Sequence, residues 1–99
     1  MARFDVYENP DGPGYLLDVQ ADLLDALNTR VVVPLIPLSL APTPAKGLNP
    51  VFEIHSSPHV METQFLSAVP PALLDKPVAS VLSNDTEIMN ALDMLLTGI

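Results

Sequence analysis

Residues 31 to 37 read Val-Val-Val-Pro-Leu-Ile-Pro, and this stretch decides the fold class. Three consecutive valines favour a strand, because β-branched side chains pack well on a pleated sheet. Pro34 and Pro37 lack the backbone donor of a sheet ladder, so we expect this strand to bend, to bulge or to lie at an edge. The 11 prolines of this 99-residue chain also argue against a helical bundle.

On either side of this stretch, the sequence predicts further short strands. Residues 4–7 and 15–19 are typical of a hairpin, joined by the turn-rich loop Glu-Asn-Pro-Asp-Gly-Pro-Gly at 8–14. Residues 20–28 contain leucines at roughly helical spacing but form too short a segment for more than a turn or a single helical turn.

After the proline-rich connection at 41–47, strands are expected at 51–55, 59–62 and 65–69. A chain of this length forms one hydrophobic core, which predicts a single domain over residues 1–99.

The C-terminal residues follow a helical pattern. Asn84 followed by Glu87 resembles a capping box and predicts a helix start. Gly98 is expected to end this helix. One apolar face is expected to pack on the sheet, and its residues are Ile88, Ala91, Leu92, Leu95, Leu96 and Ile99.

The charge balance argues against several functions. Twelve acidic residues against four basic ones give a net charge of -8. Phosphate groups need cationic partners, so we expect no direct binding to nucleic acid and no attraction to an anionic membrane. No apolar run approaches the roughly 20 residues of a membrane helix, and the first residues lack the apolar core of a signal peptide. We therefore expect a cytoplasmic protein.

Candidate catalytic and metal-binding residues form no strong pattern. His55 and His59 are ordinary zinc ligands by type, but Pro58 disfavours the helix that would place them on one face. The serines beside His59 lack the glycine-rich elbow of a serine hydrolase.

The nearby aspartates Asp18, Asp22 and Asp25 more commonly cap turns or face solvent than act as an acid–base pair. The chain has no cysteine, and no phosphate-binding glycine loop is present. We expect no enzymatic activity, no metal site and no cofactor.

Several segments resemble the CcdB toxins of toxin–antitoxin modules in order and spacing. They are residues 4–7, 17–25, 30–35, 54–55, 67–70 and 87–99. The resemblance implies a mainly β, SH3-like barrel with a five-stranded antiparallel sheet, a small three-stranded sheet and a C-terminal α-helix, assembled as a homodimer. It also implies a non-enzymatic toxin that binds the A subunit of DNA gyrase and traps gyrase on cleaved DNA.

The same resemblance assigns a gyrase-binding surface around the C-terminal end of the helix. The matching residues are Thr97, Gly98, Ile99, Asn90, Leu23 and Leu24. Thr97 departs from the family pattern, because the best-known members carry a tryptophan there, and tryptophan is enriched at interface hot spots. We expect gyrase poisoning to be retained at lower affinity.

The resemblance further implies a CcdA-like antitoxin with a disordered C-terminal segment that wraps the toxin. Its site lies near the loop 8–14 and the segment 41–50. The residues assigned to it are Glu8, Asn9, Asp11, Gly12 and Gly14. This loop is acidic where other members are basic, so we expect the contacting segment of the antitoxin to be less acidic than usual.

Two alternatives remain open. A MazF-like ribonuclease toxin shares the barrel and the dimer plan, and fold alone does not determine function. Its phosphate substrate, however, requires basic residues that are scarce in this chain. A degenerate toxin that only binds antitoxin would cause no growth arrest when it is expressed alone.

Overall fold

The computed structural model describes residues 2–98 and is mostly β. Within these residues, the strands are β1 (Asp5–Glu8), β2 (Tyr15–Asp18), β3 (Arg30–Pro37), β4 (Val51–Ile54), β5 (Ser57–Met61), β6 (Ser67–Val69) and β7 (Ala79–Ser80), and the helix is α1 (Asp85–Thr97). Short 3-10 helices lie at Asp22–Leu24, Leu38–Leu40, Thr63–Phe65, Pro71–Leu73 and Leu82–Asn84. None of the helices formed by residues 2–98 combines the length and the apolar composition needed to cross a membrane.

Strand β3 belongs to both parts of one curved antiparallel sheet. The order β7-β1-β2-β3-β6 forms a five-stranded part, and the order β3-β5-β4 forms a three-stranded part. Together they make a nearly closed barrel with the helix at the C-terminus. The fold class expected from the sequence is confirmed.

The prolines of β3 lie where they remove no ladder bond. The first residues of β3 pair with β6 and its last residues pair with β5, and Pro34 lies between the two partners. Its carbonyl accepts from the N–H of Glu62 (2.9 Å). The amide and the carbonyl of a strand residue face the same side, so the nitrogen of Pro34, which carries no hydrogen, faces the gap between β6 and β5. Pro37 follows Leu35, the last residue of β3 that pairs with β2. The strand is therefore central, which excludes the edge position among the three expected alternatives of a bend, a bulge or an edge.

The main core fills the barrel and is closed by α1. Ile88, Ala91 and Leu92 are the buried residues of the helix. Leu96 is 70% exposed, so the prediction that it packs on the sheet is wrong. Leu96 lies about 80° from Ile88 on the helical wheel, at the margin of the apolar arc, and it is one turn beyond the last buried residue.

The start of α1 also differs from the sequence prediction. Asn84 is the N-cap residue, but its side chain accepts no backbone hydrogen bond and instead donates to Glu87 Oε1 (3.3 Å). The 3-10 helix Leu82–Asn84 leads directly into α1, and it gives Asn84 a ψ of 19° rather than the extended conformation of a capping residue. The predicted capping box is therefore wrong, although the predicted helix start is confirmed.

A buried ion pair lies on the outer face of the five-stranded part. Arg30 is 1% exposed and donates to Asp18 Oδ2 from Nη2 (2.5 Å) and Nε (3.0 Å). Its Nη1 donates to Asp25 Oδ1 (3.0 Å), whose side chain is 60% exposed. Asp18 Oδ1 accepts from the N–H of Gln20, so this oxygen caps a turn as expected. The side chain is buried, however, and does not face solvent.

Burial affects two ionisable groups on this face. Desolvation raises the pKa of the Asp18 carboxyl, although the hydrogen bond from Arg30 opposes this effect. Desolvation likewise raises the pKa of Tyr7, which packs with Leu16, Val32 and Leu74 in a second, smaller core. The 3-10 helix at 71–73 leads into Leu74 and so into this second core.

We predict that Asp18→Asn destabilises the fold far more than Asp25→Asn. The first change leaves the Arg30 guanidinium buried beside a neutral amide, which costs about 3–5 kcal/mol, whereas an exposed pair contributes about 1 kcal/mol or less. Urea unfolding at one fixed protein concentration measures both free energies. Equal losses for the two variants would contradict a dominant role for the buried pair.

Candidate interaction surfaces

A cluster of exposed leucines surrounds the 3-10 helix Asp22–Leu24. Leu23 is 92% exposed, and Leu24 and Leu27 are about half exposed. Such large apolar side chains on a surface are typical of sites that contact another protein when they lie together. We refer to Leu23, Leu24 and Leu27 as the leucine surface.

Hydrogen bonds fix the backbone beneath the leucine surface. Gln20 Nε2 donates to the carbonyl of Leu24 (2.9 Å), and the N–H of Arg3 donates to Asp22 Oδ1 (2.8 Å). The next residue, Asp25, is held by Arg30. The leucines are therefore exposed on a segment that is anchored at both ends.

The C-terminal turn of α1 forms a second exposed apolar region. Met94 and Leu96 are exposed there, as are the predicted residues Thr97 and Gly98. The hydroxyl of Thr97 donates to the carbonyl of Asp93 (2.7 Å). We refer to residues 94–98 as the terminal turn; the predicted Ile99 lies outside the described residues.

Gly98 ends the helix by its conformation. Its φ of 75° lies in the left-handed region, and its N–H donates to the carbonyl of Met94 (3.1 Å). This is the αL helix ending for which glycine is preferred, so the prediction that Gly98 ends the helix is confirmed. Asn90, two turns before Thr97, is exposed on the same side of the helix.

Arg3 links the leucine surface to the middle of α1. Arg3 Nη2 lies 2.7 Å from Met89 Sδ, while its backbone N–H holds Asp22. Met89 precedes Thr97 by about 12 Å along the helix axis. These contacts join the leucine surface to the middle of α1, close to Asn90 in sequence, rather than to the terminal turn.

The loop between β1 and β2 carries the residues predicted for antitoxin binding. Asn9 shapes it, since its Oδ1 accepts from the N–H of Asp11 (2.9 Å) and its own N–H donates to the carbonyl of Gly14 (3.3 Å). Glu8, Asp11 and Gly12 are exposed. The loop therefore presents two carboxylates to solvent.

A pocket of about 400 Å³ lies where the end of β3 meets the start of β5, and the sequence analysis did not predict it. Its lining residues are Pro37, Leu38, Ser39, Ser57 and Pro58. The β1–β2 loop adjoins it, because a Cβ atom built on Gly14 would lie 3.1 Å from Pro37 Cδ. No sequence motif marks this pocket, since its walls come from segments that only the β3–β5 pairing brings together.

The two histidines lie near this region. His55 and Ser56 form the β4–β5 turn with φ values of 51° and 66°. The turn brings both histidines beside Tyr15, with ring centroids 6.3 Å away for His55 and 5.0 Å away for His59. Across residues 2–98, no group of three or more potential metal ligands comes together.

Few of the basic side chains of the protein are exposed. Arg30 is buried in its ion pair and Arg3 is half-buried against Met89 and Phe4. Among residues 2–98, the fully exposed basic side chains are Lys46 and Lys76. Most of the acidic side chains, in contrast, are exposed.

Comparison with known proteins gives the family. A family model described as CcdB protein matches residues 3–98. The chain belongs to the CcdB family. It is therefore a toxin of a toxin–antitoxin system.

A solved structure supports the fold. An endoribonuclease in complex with its cognate antitoxin, from Mycobacterial species, is similar with a TM-score of 0.77 at 15% identity. The similarity covers 97% of this CcdB-family chain and 94% of the endoribonuclease chain. At this identity, the similarity shows that the two chains share a fold.

We predict that Gly14→Ala destabilises the protein and that Gly12→Ala does not. Gly14 has a φ of 91°, and an added Cβ would overlap with the carbonyl oxygen of Leu35, whereas nothing lies within 4 Å of a Cβ at Gly12. We expect a loss of about 2 kcal/mol or more for Gly14→Ala and a change within about 0.5 kcal/mol for Gly12→Ala. Thermal unfolding of both variants tests this, and a tolerated Gly14→Ala would contradict the close packing of the loop on β3.

Proposed function

We propose that this CcdB-family toxin binds the A subunit of DNA gyrase and traps the complex of gyrase with cleaved DNA. The observation that carries the proposal is the terminal turn, where Leu96 is 70% exposed, Met94 is 39% exposed beside Gly47, and Gly98 closes the last turn. A protein that grips a target without chemistry needs such an apolar anchor, since a few buried contacts carry most of the binding energy of an interface.

The leucine surface supports the same proposal. Leu23 and Leu24 occupy positions that the family resemblance assigns to the target, and their backbone is fixed before any target binds. A pre-ordered segment loses little conformational entropy on binding, which favours affinity. Asn90 on α1 adds an exposed polar group next to Met89, which Arg3 contacts.

We propose a symmetric homodimer as the active form. Large exposed apolar side chains, among them Leu40 and Phe65, are numerous for a 99-residue chain and favour burial against a second copy. A twofold arrangement would also present two terminal turns to a gyrase A dimer, which is itself symmetric. In solution, the particle should have twice the 10.6 kDa mass of one chain.

We propose further that a CcdA-like antitoxin neutralises the toxin by wrapping the β1–β2 loop and the segment 41–50. The solved endoribonuclease structure contains a cognate antitoxin, which supports an antitoxin partner for a chain of the same fold. Glu8 and Asp11 are exposed on this loop, and they favour a contacting antitoxin segment with few acidic residues.

A ribonuclease is the second candidate, because the similar solved structure is an endoribonuclease. The charges of the described residues argue against it. Arg30 is buried and Arg3 is engaged with Met89 and Phe4, so Lys46 and Lys76 would have to hold an RNA backbone alone. We therefore propose that the toxin is not an enzyme.

The proposal is tested with supercoiled plasmid, purified gyrase, ATP and the toxin, scored for linear DNA after protease treatment. We expect linear DNA with the wild type and at least a tenfold loss of potency when residues 98 and 99 are deleted or when Leu96→Ser removes an exposed apolar side chain. Leu82→Ser is the matched control, because Leu82 is similarly exposed at 61% but precedes α1.

The outcomes of this assay distinguish a gyrase poison, a ribonuclease and a degenerate toxin. Loss of cleavage in the terminal-turn variants with an unchanged Leu82→Ser would support gyrase poisoning through the terminal turn. Absence of linear DNA at micromolar wild-type toxin would refute it. RNA cleavage in a parallel incubation would then favour the ribonuclease, and antitoxin binding without either activity would favour a degenerate toxin.

We predict that Thr97→Trp strengthens gyrase poisoning. Thr97 is exposed, and its hydroxyl donates a hydrogen bond to the carbonyl of Asp93. Its small side chain offers little apolar contact to a target. A tryptophan at an interface hot spot contributes about 2 kcal/mol, which corresponds to about thirtyfold in affinity. The toxin concentration that gives half-maximal linear DNA should fall accordingly, and an unchanged value would mean that position 97 does not contact gyrase.

A further inference from the structure

The pocket beside the β1–β2 loop has the size and lining of a binding site for an apolar side chain. Its volume of about 400 Å³ falls within the usual range of ligand pockets. Pro37, Leu38 and Pro58 supply apolar walls, and Leu38 is 41% exposed although it lies beside this space. The two serine hydroxyls are the polar side-chain groups of the lining, too few to hold a polar small molecule.

Exposed carboxylates lie on two elements that adjoin the pocket, and we refer to them as its acidic rim. Glu53 pairs with Pro58 across the β4–β5 hairpin, and both residues are exposed, so the Glu53 carboxylate lies beside one wall. On the other side, Gly14 packs against Pro37 and brings the loop that carries Glu8 and Asp11 to the opposite wall.

The exposed cations of the described residues lie elsewhere. Lys46 precedes Gly47, which packs against Met94 of α1. Lys76 follows Leu74, which belongs to the second core on the outer face of the five-stranded part. Within residues 2–98, both ion pairs involve Arg30, so the rim carboxylates have no cationic partner in the protein itself.

From this geometry we propose that the pocket receives an aliphatic or aromatic side chain of the antitoxin, flanked by lysine or arginine residues that bind the acidic rim. The inference deepens the proposed function and rests on its antitoxin partner. A polypeptide fits better than a small molecule, because only a chain can fill the pocket and reach carboxylates on both sides of it at once. The complementary charges would steer the antitoxin to this side of the barrel, away from the terminal turn.

The test uses the full-length toxin and the full-length antitoxin encoded beside it, with the dissociation constant measured by titration calorimetry at two salt concentrations. Ser39→Trp places a ring into the pocket, and Ser83→Trp is its matched control, since both serines are exposed within short 3-10 helices. Glu53→Lys reverses the rim charge, and Asp75→Lys is its control on an exposed segment elsewhere.

We expect Ser39→Trp to weaken antitoxin binding at least tenfold, and Glu53→Lys to weaken it several-fold with a smaller dependence on salt. Both controls should bind like the wild type. Dissociation constants within twofold of the wild type for Ser39→Trp and Glu53→Lys would overturn the proposal. A loss of the dimer in Ser39→Trp would also overturn it, in favour of a second copy as the occupant.

The gyrase assay distinguishes a failure of the pocket proposal from a failure of the proposed gyrase poisoning. Linear DNA formed by Ser39→Trp at wild-type potency shows that the variant is folded, and its weaker antitoxin binding then supports the pocket. If the wild type forms no linear DNA, gyrase poisoning fails while calorimetry still decides the pocket, with the thermal unfolding midpoint as the measure of folding. For a destabilised Ser39→Trp, Leu38→Ala removes one apolar wall and is expected to weaken binding in the same direction; unchanged binding would overturn the proposal.

Discussion

The guanidinium of Arg30 organises the outer face of this protein. It binds Asp18 at the end of β2 and Asp25 just after the 3-10 helix that carries the leucine surface. One cation therefore holds the pairing of β2 with β3 and also the connection between them. Because two of its nitrogens bind a fully buried carboxylate, removal of either charge leaves the other without compensation. The exposed leucines depend on this interior arrangement for their position.

Much of the fold could be predicted from the sequence, because local patterns determine it. Consecutive valines, a glycine- and proline-rich loop and helical periodicity were sufficient for β3, the first hairpin and α1. The role of Pro34 could not be predicted, since it depends on β6 and β5 meeting the same side of β3 at different residues. The burial of Asp18 was missed for a similar reason, because its partner lies on another strand.

The candidate sites likewise include features that the sequence predicts and features that only the tertiary structure shows. The end of α1 could be predicted, because a glycine that ends a helix is visible in the sequence. The exposure of Leu96 required knowledge of where the core stops along α1. The pocket required the tertiary structure, since Pro37 and Pro58 adjoin it only after β3 and β5 pair. Neither proline carries a signal of binding on its own.

The small number of exposed cations has a consequence for the rate at which this protein meets other molecules. With one of its four cations withdrawn from the surface and another half-covered, the protein approaches other molecules as a nearly uniform anion. Any polyanion presents the same sign of charge, so long-range repulsion slows its encounter with the protein and added salt accelerates it. A basic molecule is attracted instead, and added salt slows that encounter. The exposed carboxylates, rather than the neutral buried pair of Arg30 with Asp18, thus determine which molecules the protein meets quickly.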